Sequence, residues 1–116
     1  MSAQTPDQPV RKKCQPCEGG VYPYTHWQSV EQLKTLEGWY LTHDGQRIRK
    51  DWTMKHFVDA MDFFNKVADI AEEDGHHPDL HLEQYRKVSI ELWTHAIGGL
   101  SENDFILAAK IDACLE

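Results

Sequence analysis

The stretch from Lys55 to Asp74 constrains the fold more than any other part of this chain. Its apolar residues Phe57, Ala60, Met61, Phe64, Val67, Ala68 and Ala71 recur at helical intervals, while Asp59, Asp62, Lys66 and Asp69 take the remaining face. An amphipathic helix of this kind owes most of its stability to packing its apolar side on something else. Gly75 supplies a C′ residue that tolerates positive φ, and Pro78 blocks continuation. The flanking segments must therefore furnish the surface this helix covers.

Those segments read as short elements. Thr25 with Gln28 three residues on forms a capping-box pattern, and Trp27, Val30, Leu33 and Leu36 recur at helical spacing up to Gly38, which predicts a helix over about 26–37. The runs Trp39–His43 and Gln46–Lys50 flank Asp44-Gly45, a pair suited to the positive φ that a type I′ turn needs at both central residues, so two strands should pair antiparallel. After Pro78, Leu80 and Leu82 alternate with polar residues. After Arg86-Lys87, Val88, Ile90, Leu92 and Thr94 share one face, with Ser89 and Glu91 opposite. Gly98-Gly99 then interrupts the chain, Ser101 offers an N-cap with Asp104 three residues on, and Phe105 to Leu115 reads as a last helix. The order α-β-β-α-β-β-α predicts an α+β domain: a four-stranded antiparallel sheet with helices covering one face.

Length and charge narrow the class. A chain of 116 residues fits one domain with a single core and excludes a large multidomain enzyme. Residues 1–50 carry seven of the 12 Lys and Arg and five of the 19 acids; the remainder carries 5 and 14, a balance of −9. Direct nucleic-acid binding is not expected from so acidic a domain, because it depends on clustered bases that neutralise phosphates. No window approaches 18 consecutive apolar residues, the first residues lack the apolar stretch of a signal peptide, and three cysteines make an odd number; the expectation is a cytosolic protein with no disulfide framework and no membrane span. Residues 1–20, with Pro6, Pro9 and Pro16 and no periodicity, read as a flexible tail and lead-in to a domain over 21–116.

Four of the seven histidines lie between positions 76 and 95, three of them at breaks in regular structure: His76 and His77 after the long helix, His95 after the last strand. Element ends are where a rigid scaffold presents active groups, but a His-His pair beyond a helix C-terminus is also what simple capping would place there. His26, His43, His56 and His81 read as surface or partly packed residues. Cys14 and Cys17 have a metal-ligand or redox spacing. Zinc would need two further ligands at comparable spacing, and a thioredoxin-like pair would follow a strand and open a helix; neither context is present. Zinc held jointly with His76 or His77 stays conceivable, and elemental analysis of the purified protein decides it.

Glu72, three spacers, His76-His77-Pro78, six spacers, Tyr85, nine spacers, His95, eight spacers and Asp104 form a pattern that resembles the signature of the pterin-4a-carbinolamine dehydratases, also called 4a-hydroxytetrahydrobiopterin dehydratases. The resemblance extends over about residues 25–115, and Cys14-Gln15-Pro16-Cys17-Glu18-Gly19-Gly20 is similar to a lead-in of bacterial members. It implies a hydro-lyase that removes water from a 4a-hydroxytetrahydropterin to give a quinonoid dihydropterin, in the recycling of tetrahydrobiopterin. A proton must reach the departing hydroxyl and another must leave N5, and imidazole suits both tasks near neutral pH. The resemblance makes His76, His77 and His95 the catalytic histidines, with Glu72 and Asp104 as substrate-binding candidates. It implies no metal and no bound cofactor, the pterin being substrate, and a homodimer or homotetramer.

Bland readings stand beside these. Asp104 is also a natural helix-capping acid after Ser101, Glu72 is one more acid at a polar helix end, and Tyr85 and Trp93 are read as packing near the pocket rim. Animal members of the same family also serve as dimerisation cofactors of a transcription factor. The alternative is therefore a non-enzymatic pterin-binding or protein-interaction module resembling a transcriptional coactivator.

Overall fold

The computed structural model describes residues 22–115; the proposed tail and the Cys14/Cys17 pair lie outside them. Three helices and four strands follow in the expected order: α1 (His26–Leu33), β1 (Tyr40–Thr42), β2 (Arg47–Thr53), α2 (Phe57–Asp74), β3 (Asp79–Glu83), β4 (Lys87–Leu92) and α3 (Glu102–Ala113), with a 3-10 turn at His95–Ile97. The strands form one antiparallel sheet in the order β1-β2-β4-β3. Its helix side carries Ile48, Val88, Ile90 and Leu92, all buried, and these pack with Ala60, Phe63 and Val67 of α2 and Phe105, Ala108 and Ile111 of α3.

The capping box at Thr25 forms as read: the Thr25 amide donates to Gln28 Oε1 at 2.8 Å and the Gln28 amide to Thr25 Oγ1 at 3.2 Å. The helix is shorter than expected. It stops at Leu33, and residues 34–38 turn so that Leu36 and Trp39 enter the core while Trp27 stays 78% exposed. The hairpin is present, with Thr42 opposite Arg47, but positive φ runs through His43, Asp44 and Gly45, so the reversal starts one residue before the Asp-Gly pair. β2 continues to Thr53, beyond the expected end at Lys50, because β4 pairs with it from Ile48 to Thr53.

The buried stripe of α2 differs from the expected one. Ala60, Phe63, Val67, Ala71 and Asp74 face inward, whereas Phe57 and Met61 are exposed. Phe63 meets the edge of the Trp52 ring at 5.0 Å, and Trp52 in turn meets Trp39 at 5.8 Å. Asp74, at the end of the stripe, accepts a 2.6 Å hydrogen bond from Lys110 Nζ, which ties α2 to α3. Gly75 ends the helix at φ 66, the left-handed conformation its missing Cβ allows.

The outer face of the sheet, where the alternation places Ser89 and Glu91, is partly covered. Ser89 and Glu91 lie there yet are buried, because Arg49 Nη2 donates to Ser89 Oγ at 3.0 Å and Arg47 Nη1 to Glu91 Oε1 at 2.7 Å. Long arginine stems cover strand residues that would otherwise be wet.

Candidate active site

Asp104 joins the three segments that the histidine pattern had singled out. It lies in the first turn of α3 and is fully buried. Oδ2 accepts from the Ser101 amide at 2.9 Å and from Thr94 Oγ1 at 2.8 Å, and Oδ1 faces His76 Nε2 at 2.7 Å. Capping and histidine binding are thus not alternatives: one oxygen caps the helix and the other holds the imidazole. Thr94 gives its single proton to the carboxylate, so the 2.8 Å contact with Ser101 Oγ is one it accepts. A two-way bridge between Thr94 and Gly99 closes the loop that carries His95.

His76 reaches this hub because α2 ends in the left-handed Gly75. The His76 amide still bonds to the Ala71 carbonyl at 3.2 Å, and its side chain turns inward to 12% exposure. With Nε2–H donating to the carboxylate, the neutral ring keeps its lone pair on Nδ1. His77 faces outward, and its Nε2 lies 2.5 Å from Glu72 Oε2 with both side chains exposed. The pair fixes an orientation more than it adds stability. His95 opens the 3-10 turn and packs its ring on Trp93, with centroids 4.2 Å apart.

The structure therefore pairs both candidate carboxylates with candidate histidines, Glu72 with His77 and Asp104 with His76, and sets His95 one residue beyond the hub's Thr94. Tyr85 is not packed: it sits at φ 55 in the β3–β4 turn, 59% exposed. His26, His43, His56 and His81 are exposed and outside the hub. Sequence reading missed Thr94 as a hydrogen-bonding member, though a hydroxyl directly before the motif histidine was the available signal. It also missed Arg47, whose guanidinium lies 4.3 Å from the Trp93 ring centroid. A groove lined by Arg49, Asp51, Thr53, Glu83 and Lys87, among others, sits toward the opposite end of β2 and β4 and includes none of the motif histidines. Among the described residues no cluster of three or more His, Cys, Asp or Glu is arranged to hold a metal, and no helix is long and apolar enough to cross a membrane.

The segment just before α1 buttresses the hub. The Tyr24 amide donates to the Leu100 carbonyl at 2.7 Å, and its ring stacks on Phe105 at 5.6 Å. Gly99 permits the approach, since a Cβ there would fall 2.7 Å from Pro23 Cβ. Burial, with Glu102 and Asp104 adding to it, pushes the Tyr24 phenol up to about 12. A phenol whose folded pKa exceeds the ordinary 10 lends stability below that value and loses it as pH rises toward 12. The thermal midpoint of the wild type should therefore fall more between about pH 9 and about pH 11 than that of Tyr24→Phe, which has nothing to ionise. Parallel curves for the two proteins would refute this.

The family described as pterin 4 alpha carbinolamine dehydratase matches residues 22–114. The mitochondrial pterin-4-alpha-carbinolamine dehydratase 2 of Arabidopsis thaliana is 50% identical over 104 residues, 87% of this chain and 56% of the plant protein. A Dechloromonas aromatica protein assigned to the same dehydratase is 46% identical over 105 residues, 90% of this chain and 91% of its own. Among solved structures, a transcriptional coactivator/pterin dehydratase from Brucella melitensis superposes with a TM-score of 0.73 at 31% identity, over 78% of this chain and 96% of that one. A pterin dehydratase-like RuBisCO assembly factor of the alpha-carboxysome shares the fold at a TM-score of 0.57 and 22% identity. A small α+β hydro-lyase is the class that fold, motif and relatives define. Within that class, the chain belongs to the pterin-4a-carbinolamine dehydratase family.

Proposed function

We propose that the protein dehydrates a 4a-hydroxytetrahydropterin to the quinonoid dihydropterin, within tetrahydrobiopterin recycling, and that His76, His77 and His95 move the protons. A proton is added to the 4a-hydroxyl as the C4a–O bond breaks, and the N5–H electrons form the C4a=N5 double bond as that proton departs to a base. Water is the only leaving group, and no electrons are exchanged with a second reactant. The observation that carries the reading is the hub: Asp104 Oδ1 meets His76 at Nε2, an arrangement that in a neutral ring leaves the lone pair on Nδ1. That makes His76 the proposed base, with the exposed His77 and His95 as proton donors. Glu72 and Asp104 act on the substrate through the histidines they orient.

The test is dehydration of enzymatically generated 4a-hydroxytetrahydropterin, followed as absorbance of the quinonoid product. Wild type should exceed the spontaneous rate, and His76→Ala should lose on the order of 100-fold, the usual contribution of a positioned acid or base. No acceleration by the wild type would sink the reading.

The cytosolic placement rests on the bacterial relatives. Self-association as a dimer or tetramer is part of the proposal, supported by Phe57, Val58 and Met61, which are 51%, 64% and 40% exposed on one end of α2. A monomeric mass in light scattering would exclude it. The non-enzymatic reading draws support from the coactivator half of the Brucella protein's description. Full biological activity in a His76→Ala, His95→Ala double variant would favour it.

A further inference from the structure

We propose that Arg47, held by Glu91 and lying over Trp93, is a positioning residue for His95. The inference rests on the dehydratase reading for its kinetic arm only. Arg47 projects from β2 on the outer face of the sheet, where its Nη1 donates to Glu91 Oε1 at 2.7 Å. Glu91 is 5% exposed, so this charge-assisted bond is shielded from water and holds the guanidinium in one place. The same guanidinium lies 4.3 Å from the Trp93 ring centroid, and the Trp93 ring lies 4.2 Å from that of His95 at 49°. Glu91, Arg47, Trp93 and His95 thus form one continuous stack running from the middle of the sheet to the catalytic turn.

His95 needs such support. Its side chain is exposed, and its ring packs on that of Trp93. His76 and His77 each have a carboxylate to orient them; His95 has an indole face instead. The indole N–H is covered and meets no acceptor among the described residues, so what Trp93 offers His95 is its ring. A planar guanidinium can lie flat on that ring and keep its bond to Glu91 at the same time, whereas an ammonium has no plane to stack and meets a ring only as a point charge.

Arg47→Lys keeps the charge facing Glu91 and loses the stack. The expected result is a roughly tenfold fall in kcat with KM little changed, because a displaced acid or base weakens the transition state more than substrate binding. Trp93→Ala should match it, and Trp93→Phe, which keeps a ring under His95, should recover most of the rate. In a His95→Ala background Arg47→Lys should have no further effect. The structural arm is independent of activity: the ring-current shift of the His95 imidazole protons should shrink in Arg47→Lys and Trp93→Ala. An undiminished Arg47→Lys effect without His95, or unmoved His95 resonances, would overturn the proposal. An inactive wild type whose His95 resonances move as stated would overturn the dehydratase reading and leave the positioning role supported.

Discussion

Asp104→Asn is expected to lower kcat for dehydration by about 100-fold while the domain still folds. The asparagine oxygen can take the place of Oδ2 and go on accepting from the Ser101 amide and Thr94 Oγ1. Its NH2 then faces His76, where a carboxylate oxygen had accepted at 2.7 Å. Two donors cannot bond, so the neutral imidazole moves its proton to Nδ1 and presents Nε2 as the acceptor. The lone pair assigned to the substrate is thereby turned inward. Asp104→Ala differs in kind, because it removes the acceptor of the Ser101 amide and of His76 and leaves the Thr94 hydroxyl only its contact with Ser101 Oγ. A stability loss of roughly 3 kcal/mol should accompany its loss of rate. Steady-state kinetics together with chemical unfolding separate the two variants. Wild-type kcat in Asp104→Asn would show that the tautomer of His76 has no part in the reaction.

The hub also shows which features a linear pattern can carry. His76, His77, His95, Glu72 and Asp104 could be named as candidates because the family resemblance rests on their spacing, which is a property of the sequence. Which carboxylate meets which imidazole was not legible, since the 2.7 Å contact joins residues 28 apart and depends on how α2 and α3 pack. The capping role of Asp104 was legible for the opposite reason, as Ser101 lies three residues away. Arg47 had no signal at all: on an alternating strand it looks like any solvated base, and its meaning comes from Glu91 across the sheet. The burial of Ser89 and Glu91 had no signal for the same reason, because their cover comes from Arg47 and Arg49 on the neighbouring strand.

The order of elements was legible almost throughout, because strong local devices punctuate it. Thr25 and Gln28 cap α1, Gly75 and Pro78 close α2, and Ser101 opens α3. Rotation about the axis of α2 was not legible. Phe57, Met61, Phe64 and Ala68 keep helical spacing, and so do Ala60, Phe63, Val67 and Ala71, so period alone cannot say which stripe meets the sheet. The expected list mixed the two stripes and omitted Phe63, the buried aromatic of this helix. The choice is made by the partner surface, where Trp52 offers an edge to Phe63.

Phe63→Ala is accordingly expected to cost about 3 to 5 kcal/mol, and Met61→Ala under about 1 kcal/mol, although both are large apolar residues two positions apart. Phe63 is 2% exposed and closes a chain of rings through Trp52 to Trp39, whose indole N–H donates to Asp112 of α3 at 3.0 Å. Its removal opens a cavity between α2 and β2 that rigid neighbours fill only in part. Against a domain stability of about 5–15 kcal/mol this is a large share, readable as a shift of the urea midpoint with the slope unchanged. Met61 is 40% exposed, so truncating it removes little from the folded chain. Any larger Met61 effect should depend on protein concentration, the mark of an interface between copies and not of a core. Equal, concentration-independent losses for the two variants would contradict the observed rotation of α2. The same rotation sets Asp74 against Lys110 and carries His76 to Asp104, so the register that Phe63 enforces in the core is also what assembles the histidine site.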